Sequence, residues 1–268
     1  HKDYLRKATV IVGQATKVTD KFVVVDTKKI YFDYLVISSG SKYQSHIKEQ
    51  NVILPERAEI LKDANEQLCG AKKILIIGGG IAGVELAAEI ATHYPDKKIT
   101  LVHSHDRLME RQNKKAQDYA EAFLKKGNVE IIFNQRVVVK RNMLLTDKGK
   151  QLKADMVFMC TGIIQNSEFM KKSFPKLLNK NQITVNESLH LDNFNNIFVG
   201  GDVTDIPEEK TAQNSEDHAK VIAKNLKLLL ANRPLIPYVS KPRIMVISLG
   251  KYDGILTYKN FTLTGLIP

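Results

Sequence analysis

The sequence predicts an α/β fold built on parallel sheet, and three observations predict it. A short apolar strand at residues 75–77 runs into Gly78-Gly79-Gly80-Ile81-Ala82-Gly83 and on into a helix. A second strand follows at residues 99–102, which completes a β-α-β start. The chain also uses one pattern twice, at residues 33–40 and 155–162: an aspartate, an apolar strand, then small residues ending in glycine.

The glycine turn carries the first chemistry. Gly78, Gly80 and Gly83 fit G-x-G-x-x-G. The first lets the chain turn tightly, the second lets backbone approach a pyrophosphate, and the third lets the helix pack close to its strand. The helix continues through Val84, Leu86, Ala87, Ile90 and Ala91. Its free N–H groups and dipole would hold phosphates. Past the second strand comes His103-Ser104-His105-Asp106-Arg107. A carboxylate near this position takes the ribose 2′-hydroxyl in NAD-preferring sites. With His103 in its place and Arg107 nearby, the pattern tolerates or favours a 2′-phosphate; otherwise both histidines are plain surface residues.

The remaining elements follow in order. Residues 9–12, 22–25 and 29–32 are β-rich runs divided by polar turns, which predicts a meander. The strand at 33–41 ends at Gly40, where a ligand can come close to backbone. Residues 42–58 form a polar loop and 58–68 a helix leading into the fingerprint. Residues 113–126 form an amphipathic helix stopped by Gly127. A strand at 129–133 and a meander at 136–139, 143–146 and 151–152 precede the second small-residue exit at Gly162. A last strand runs into Gly200-Gly201-Asp202, followed by a helix over 211–230 between Pro207 and Pro234. Asp202 there can accept a hydroxyl hydrogen bond while the helix dipole faces a cofactor. Residues 243–248 and 255–258 open a further β unit. The second repeat follows a β-α-β unit and the first has none, so another unit of roughly 30 residues is expected ahead of residue 1.

Composition narrows the function classes. The chain has 268 residues and a net charge of +11. No run approaches the ~20 apolar residues of a membrane span. The lysines are spread as pairs rather than a basic tract, so nucleic acid is not the expected partner; phosphate-bearing ligands and anionic surfaces suit the charge. No zinc-finger spacing stands out, and no metal site is expected. Cys69 and Cys160 are the two cysteines, far apart in sequence. The absence of a close pair argues against dithiol redox chemistry, and a reducing compartment with buried or inert thiols is expected.

Taken together, these motifs resemble the pyridine nucleotide–disulfide oxidoreductase superfamily of FAD/NAD(P)-dependent flavoproteins. Within it the resemblance is to the apoptosis-inducing-factor-like branch, the AMID-like or ferroptosis suppressor group. It rests on Tyr34-Leu35-Val36-Ile37-Ser38-Ser39-Gly40, on residues 78–85, on Val102-His103-Ser104, on residues 157–162, on Val199-Gly200-Gly201-Asp202 and on residues 247–254. It implies a two-dinucleotide-binding-domain flavoprotein fold, with Rossmann-like FAD and NAD(P) domains, the FAD domain lacking its first β-α-β and the C-terminal α+β domain truncated. The implied segments are residues 1–66 and 191–234 for FAD, 67–190 for NAD(P)H, and 235–268 for the start of a C-terminal interface domain.

The resemblance further implies non-covalent FAD. Asp202 would bond the ribityl–phosphate region, Gln213 would lie near the flavin ring and Val10 beside the adenine, with Gly40, Gly162 and Gly201 lining the site. Gly78, Gly80 and Gly83 would cradle the NAD(P)H pyrophosphate, His103 would stand at the ribose and Glu85 near the nicotinamide. No catalytic acid or base is assigned. The implied activity is hydride transfer from NAD(P)H to FAD and electrons onward to a quinone-like acceptor. Two alternatives stay open: reduction of a ferredoxin-type protein or a radical, and a non-catalytic NAD(P)H-binding relative that has lost FAD. Location is expected to be cytoplasmic or membrane-peripheral, with mitochondria left open and the oligomeric state unassigned.

Overall fold

The computed structural model describes residues 7–42, 54–141 and 143–266, with side chains from residue 58 onward in the second stretch. Contacts divide the chain into two compact units. One joins His1–Ser41 with Ile164–Ser240, the other Lys42–Ile163 with Lys241–Pro268.

The second unit is built on a four-stranded parallel sheet. Its order is Met156–Met159, Lys73–Ile77, Lys98–Val102, Glu130–Ile132. The apolar run of its central strand explains that position. Ile74 and Ile76 join a core shared with the helices Ile81–His93 and Lys114–Lys126, whereas Leu75 and Ile77 face a separate core with Val102 and Leu152. A strand covered on both faces must be apolar at every position, not at alternate ones. Helix Lys114–Lys126 starts where expected because the Asn113 side chain accepts the Ala116 N–H. The meander Val137–Lys140, Met143–Thr146, Gln151–Leu152 is antiparallel, as its turn residues predict.

Residues 241–268 belong to this same unit. Their antiparallel sheet is Met245–Ser248, Gly254–Tyr258 and Phe261–Gly265. Ile247, Leu249 and Ile255 are fully buried in the core that holds Val84, Ala88 and Leu124. The Tyr119 hydroxyl donates to Asp253 at 3.0 Å, and Lys115 Nζ donates to the Thr262 carbonyl. The strand Phe261–Gly265 has no counterpart in the sequence reading.

The first unit holds a three-stranded antiparallel meander, Ala15–Val18, Phe22–Val25 and Lys28–Tyr31. Beside it Leu35–Ile37 pairs in parallel with Ile197–Val199. Val18, Ile37, Met170, Ile183, Ile197 and Val199 form its main core. Phe198 points the other way, to Leu189 and Ile222 of helix Ala212–Leu230. The strand expected at residues 9–12 does not form. Those residues find no ladder partner among the described residues, and Val12 is 92% exposed. The unit boundaries at 41 and 163 also differ from those read in the sequence. Residues 164–190 join the first unit because Ile183 donates its N–H to Val203 and Asp205 donates to Ile183.

Candidate functional site

The glycine turn sits where the order of the parallel sheet reverses. Strand Lys73–Ile77 comes first in the sequence of this sheet, with a later strand on each side. Open α/β sheets bind ligands at the carboxyl ends of strands at such a switch point. The three fingerprint glycines have distinct surroundings. Gly78 is left-handed, with φ +110°, and a β-carbon there would collide with the Cys160 carbonyl on the neighbouring strand. A β-carbon on Gly83 would collide with the carbonyl oxygen of Gly78. At Gly80 nothing lies within 4 Å of where a β-carbon would stand. Protein packing therefore demands glycine at 78 and 83 but not at 80. Gly80 is also the N-cap of helix Ile81–His93 and makes no side-chain cap hydrogen bond. The arrangement has the features of a phosphate cradle: open space, helix N–H groups and a favourable dipole.

His103 is not a surface residue. It is 6% exposed, and its Nδ1 accepts the Gly79 N–H at 3.0 Å. Burial is the main influence on the ring and lowers its pKa; Glu110 opposes that and His105 adds to it. Arg107 is exposed and engaged by Asp106 through two hydrogen bonds. Each raises or lowers the other's pKa in the sense that favours both charges. Glu85, on the second turn of the helix, accepts the Ser248 N–H at 3.0 Å. Burial pushes its carboxyl pKa up, partly offset by that hydrogen bond.

His103, His105 and Glu110 bring ligand-type atoms within 4.8 Å of one another. The hydrogen bond from Gly79 argues against a cation there. Nδ1 accepts it, so the neutral ring carries its proton on Nε2, the atom a metal would need.

The first unit repeats the small-residue exit. Gly40 and Gly162 are both left-handed, φ +66° and +99°, and neither would crowd a β-carbon. Asn166 fastens the first exit by donating its N–H to Gly40 O and its side-chain amide to Ser39 O. At the Gly-Gly-Asp turn, Gly201 is left-handed with φ +79°. Ser41 donates its hydroxyl to Asp202 Oδ2 at 2.6 Å. Gln213 is exposed in the first turn of helix Ala212–Leu230, and Thr211 caps that helix through the Asn214 N–H. Val10 is half-buried in irregular chain. Within this unit Gly40, Ser41, Gly201 and Asp202 thus stand at the carboxyl ends of the paired strands Leu35–Ile37 and Ile197–Val199.

A profile of the pyridine nucleotide-disulphide oxidoreductase family matches residues 2–219. This chain belongs to that family. The oxidoreductases of this family are NAD(P)H-dependent flavoproteins, and FAD and NAD(P)H are its cofactors. Among relatives, apoptosis-inducing factor homolog A of Dictyostelium discoideum is 32% identical over 283 residues, covering 94% of this chain and 69% of the relative. Human ferroptosis suppressor protein 1 is 31% identical over 238 residues, covering 84% of this chain and 64% of the relative. The chain thus spans about two thirds of the length of these relatives. A Plasmodium falciparum NDH2 solved with NADH shares the fold, with a TM-score of 0.75 at 16% identity over 94% of this chain and 76% of that one. A ferredoxin reductase from Rhodopseudomonas palustris does so too, at 0.75 and 17% over 96% and 66%.

The residues fit the family's cofactors. The open space at Gly80 and the Asp202 carboxylate, which accepts the Ser41 hydroxyl, are compatible with a dinucleotide and a hydroxyl-bearing cofactor. The two sequence features missed were the roles of His103 and His218, described below. Each histidine serves a glycine 17 or more residues away, a pairing no local pattern announces.

Proposed function

We propose that this protein is an FAD-dependent oxidoreductase that takes hydride from NAD(P)H and passes electrons to a quinone-like acceptor. The observation that carries the reading is Gly80: a glycine at a sheet switch point, with open space where a side chain would be and an uncapped helix behind it. FAD, when bound, supplies the chemistry by accepting the hydride and releasing two electrons to the acceptor.

The chain's own residues bind and orient. In this reading Gly78, Gly80 and Gly83 seat the pyrophosphate of NAD(P)H. Glu85 stands beside the nicotinamide, tethered by the Ser248 N–H. His103 acts on the adenosine end by holding the turn rather than by touching the ribose. His103 stands where NAD-preferring sites carry a carboxylate, and the carboxylates nearby are engaged, Asp106 by Arg107 and Glu110 beside His103, so NADPH is accepted along with NADH. Asp202, oriented by Ser41, holds the flavin ribityl chain. Gly40, Gly162 and Gly201 leave room for cofactor atoms, Gln213 borders the ring and Val10 the adenine. No side chain serves as general acid or base.

A quinone acceptor is supported by kinship with the ferroptosis suppressor proteins. Cys160 is buried with its pKa pushed up to about 11, and Cys69 is exposed, so neither offers a thiolate pair beside a flavin. Among the described residues no helix is long and apolar enough to cross a membrane. We propose a cytoplasmic or membrane-peripheral location, with mitochondria left open.

The test is steady-state oxidation of NADH and of NADPH by the FAD-loaded protein with three acceptors in turn: a short-chain quinone, a ferredoxin and a disulfide. Quinone-dependent turnover alone is the expected result. Turnover with ferredoxin alone, or with none, sinks the acceptor assignment.

A further inference from the structure

Two turns in this chain are held by the same three-part device. In the second unit Gly79 donates its N–H to Nδ1 of His103 at 3.0 Å, and Nε2 of that ring lies 3.4 Å from Glu110 Oε2. In the first unit Gly201 donates its N–H to Nδ1 of His218 at 2.9 Å, and Nε2 lies 2.9 Å from Glu208 Oε1. Both histidines are buried, at 6% and 1% exposure. The sequence reaches the two arrangements by different routes. His103 follows a strand, whereas His218 sits within helix Ala212–Leu230. In both, a glycine makes room for the histidine. A β-carbon on Gly79 would meet Leu108 Cδ2 at 2.7 Å and His103 Cγ at 2.9 Å, and one on Gly200 would meet Ile222 Cδ1 at 2.8 Å and His218 Cβ at 3.3 Å.

The chemistry of the contact fixes the ring. A backbone amide can only donate, so Nδ1 must carry a lone pair, and the neutral ring then bears its proton on Nε2, toward the carboxylate. The glycine contact alone sets that tautomer: the carboxylate lies on the Nε2 side of each ring, but neither Nε2 makes a hydrogen bond. Glu208 is itself held in place, because its Oε2 accepts from the Tyr238 hydroxyl at 2.8 Å and the Ser240 hydroxyl at 2.6 Å. Its side chain is 5% exposed; these donors stand in for water at Oε2 only, and Oε1 has no hydrogen-bond partner.

We propose that His103 and His218 are matched positioning residues, each fixing the peptide that presents one cofactor-binding residue: Gly80 for NAD(P)H and Asp202 for FAD. The inference rests on the oxidoreductase reading above. An amide turned inward onto a ring sets the direction of the next peptide, and so of the residue that meets the ligand. A protonated ring would oppose two donors and release the turn. The groups facing His103 are Glu110, His105 and the Arg107 backbone; those facing His218 are Glu208, Lys210, Asp217 and the Tyr238 ring. Burial is the largest influence on both rings and keeps them neutral.

The test separates the two ring nitrogens. Asparagine places an amide oxygen near the Nδ1 position and can still accept from the glycine. Glutamine reaches the Nε2 position and leaves the glycine N–H unmet. His103→Asn, His103→Gln, His218→Asn and His218→Gln are compared in the full chain. NADH and NADPH affinity is read by titration calorimetry, FAD retention by the visible spectrum, and exchange of the Gly79 and Gly201 amides by NMR without cofactor. His103→Asn should hold NAD(P)H affinity within about threefold of the parent. His103→Gln should weaken it about tenfold, the worth of one buried hydrogen bond, and speed Gly79 exchange while leaving FAD in place. The His218 pair should show the mirror result, in FAD and Gly201. Equal affinity and equal exchange in the asparagine and glutamine forms would overturn the proposal, as would loss of both cofactors from either single site. A parent chain that binds neither cofactor would instead overturn the functional reading. In that event glycine amide exchange alone decides whether the histidines hold the turns.

Discussion

The carbonyl oxygen of Gly78 occupies the space that a side chain on Gly83 would need. The strand and the helix of the β-α-β unit touch at that point, so position 83 governs how closely they pack. Three residues earlier, Gly80 has no such neighbour. Protein packing therefore constrains one glycine of the motif and leaves the other free of protein contact.

Substitution at the two positions should separate stability from binding. Gly83→Ala forces strand and helix apart and should cost about 1–3 kcal/mol, the usual penalty of overpacking. Gly80→Ala meets no protein atom and should leave the thermal midpoint unchanged, while NAD(P)H affinity falls at least about tenfold. Thermal melts and nucleotide titrations of both variants check this. A Gly80→Ala protein that melts early and binds normally would reverse the assignment.

The thiols should differ sharply in reactivity. Cys69 is exposed, whereas burial pushes the Cys160 thiol up to about 11. The thiolate is the reactive form, so Cys160 should be inert in the native state. A chromogenic thiol reagent near neutral pH should count one group in the folded protein and both after unfolding. Rapid reaction of both in the folded state would contradict the burial described.

Stability should rise with pH across the histidine range. His103, His190 and His218 all have lowered pKa values, with burial the largest cause in each. The unfolded histidines titrate near 6.5. Between that value and the lower folded ones the unfolded chain binds more protons, so stability increases with pH. The full contribution is present above about pH 6.5 and is lost as pH falls through the folded values. Glu85, raised by burial, acts in the opposite sense over its own more acidic range. Urea midpoints measured from about pH 5 to 7 should climb, and a flat profile would refute neutral buried rings.

Much of this architecture was legible because it is local. Residues 73–102 announce a strand, a turn and a helix through an apolar run, three spaced glycines and a second run. The Asp33 and Asp155 repeats proved alike in conformation as well as composition, with left-handed Gly40 and Gly162 at matching ends. What local pattern could not show was partnership. Residues 9–12 have strand composition, yet a strand needs a neighbour, and their ladder starts instead at Ala15. Residues 164–191 fold into one-turn helices and two-residue strands too short for any period to register. His103 read as a residue of the ribose pocket because it sits at the right distance from the glycines. Its burial, with Nδ1 accepting the Gly79 N–H and Nε2 beside Glu110, is set by tertiary contacts that the spacing does not encode.

In the proposed reading the protein transfers hydride from NAD(P)H to FAD. The most direct test is the visible spectrum of the purified, FAD-supplemented protein, followed anaerobically as NADPH or NADH is added. A retained flavin band should bleach on adding the nucleotide and return on adding a quinone. A flavin band that stays oxidised in the presence of bound NAD(P)H, or a protein that retains no flavin at all, would contradict it.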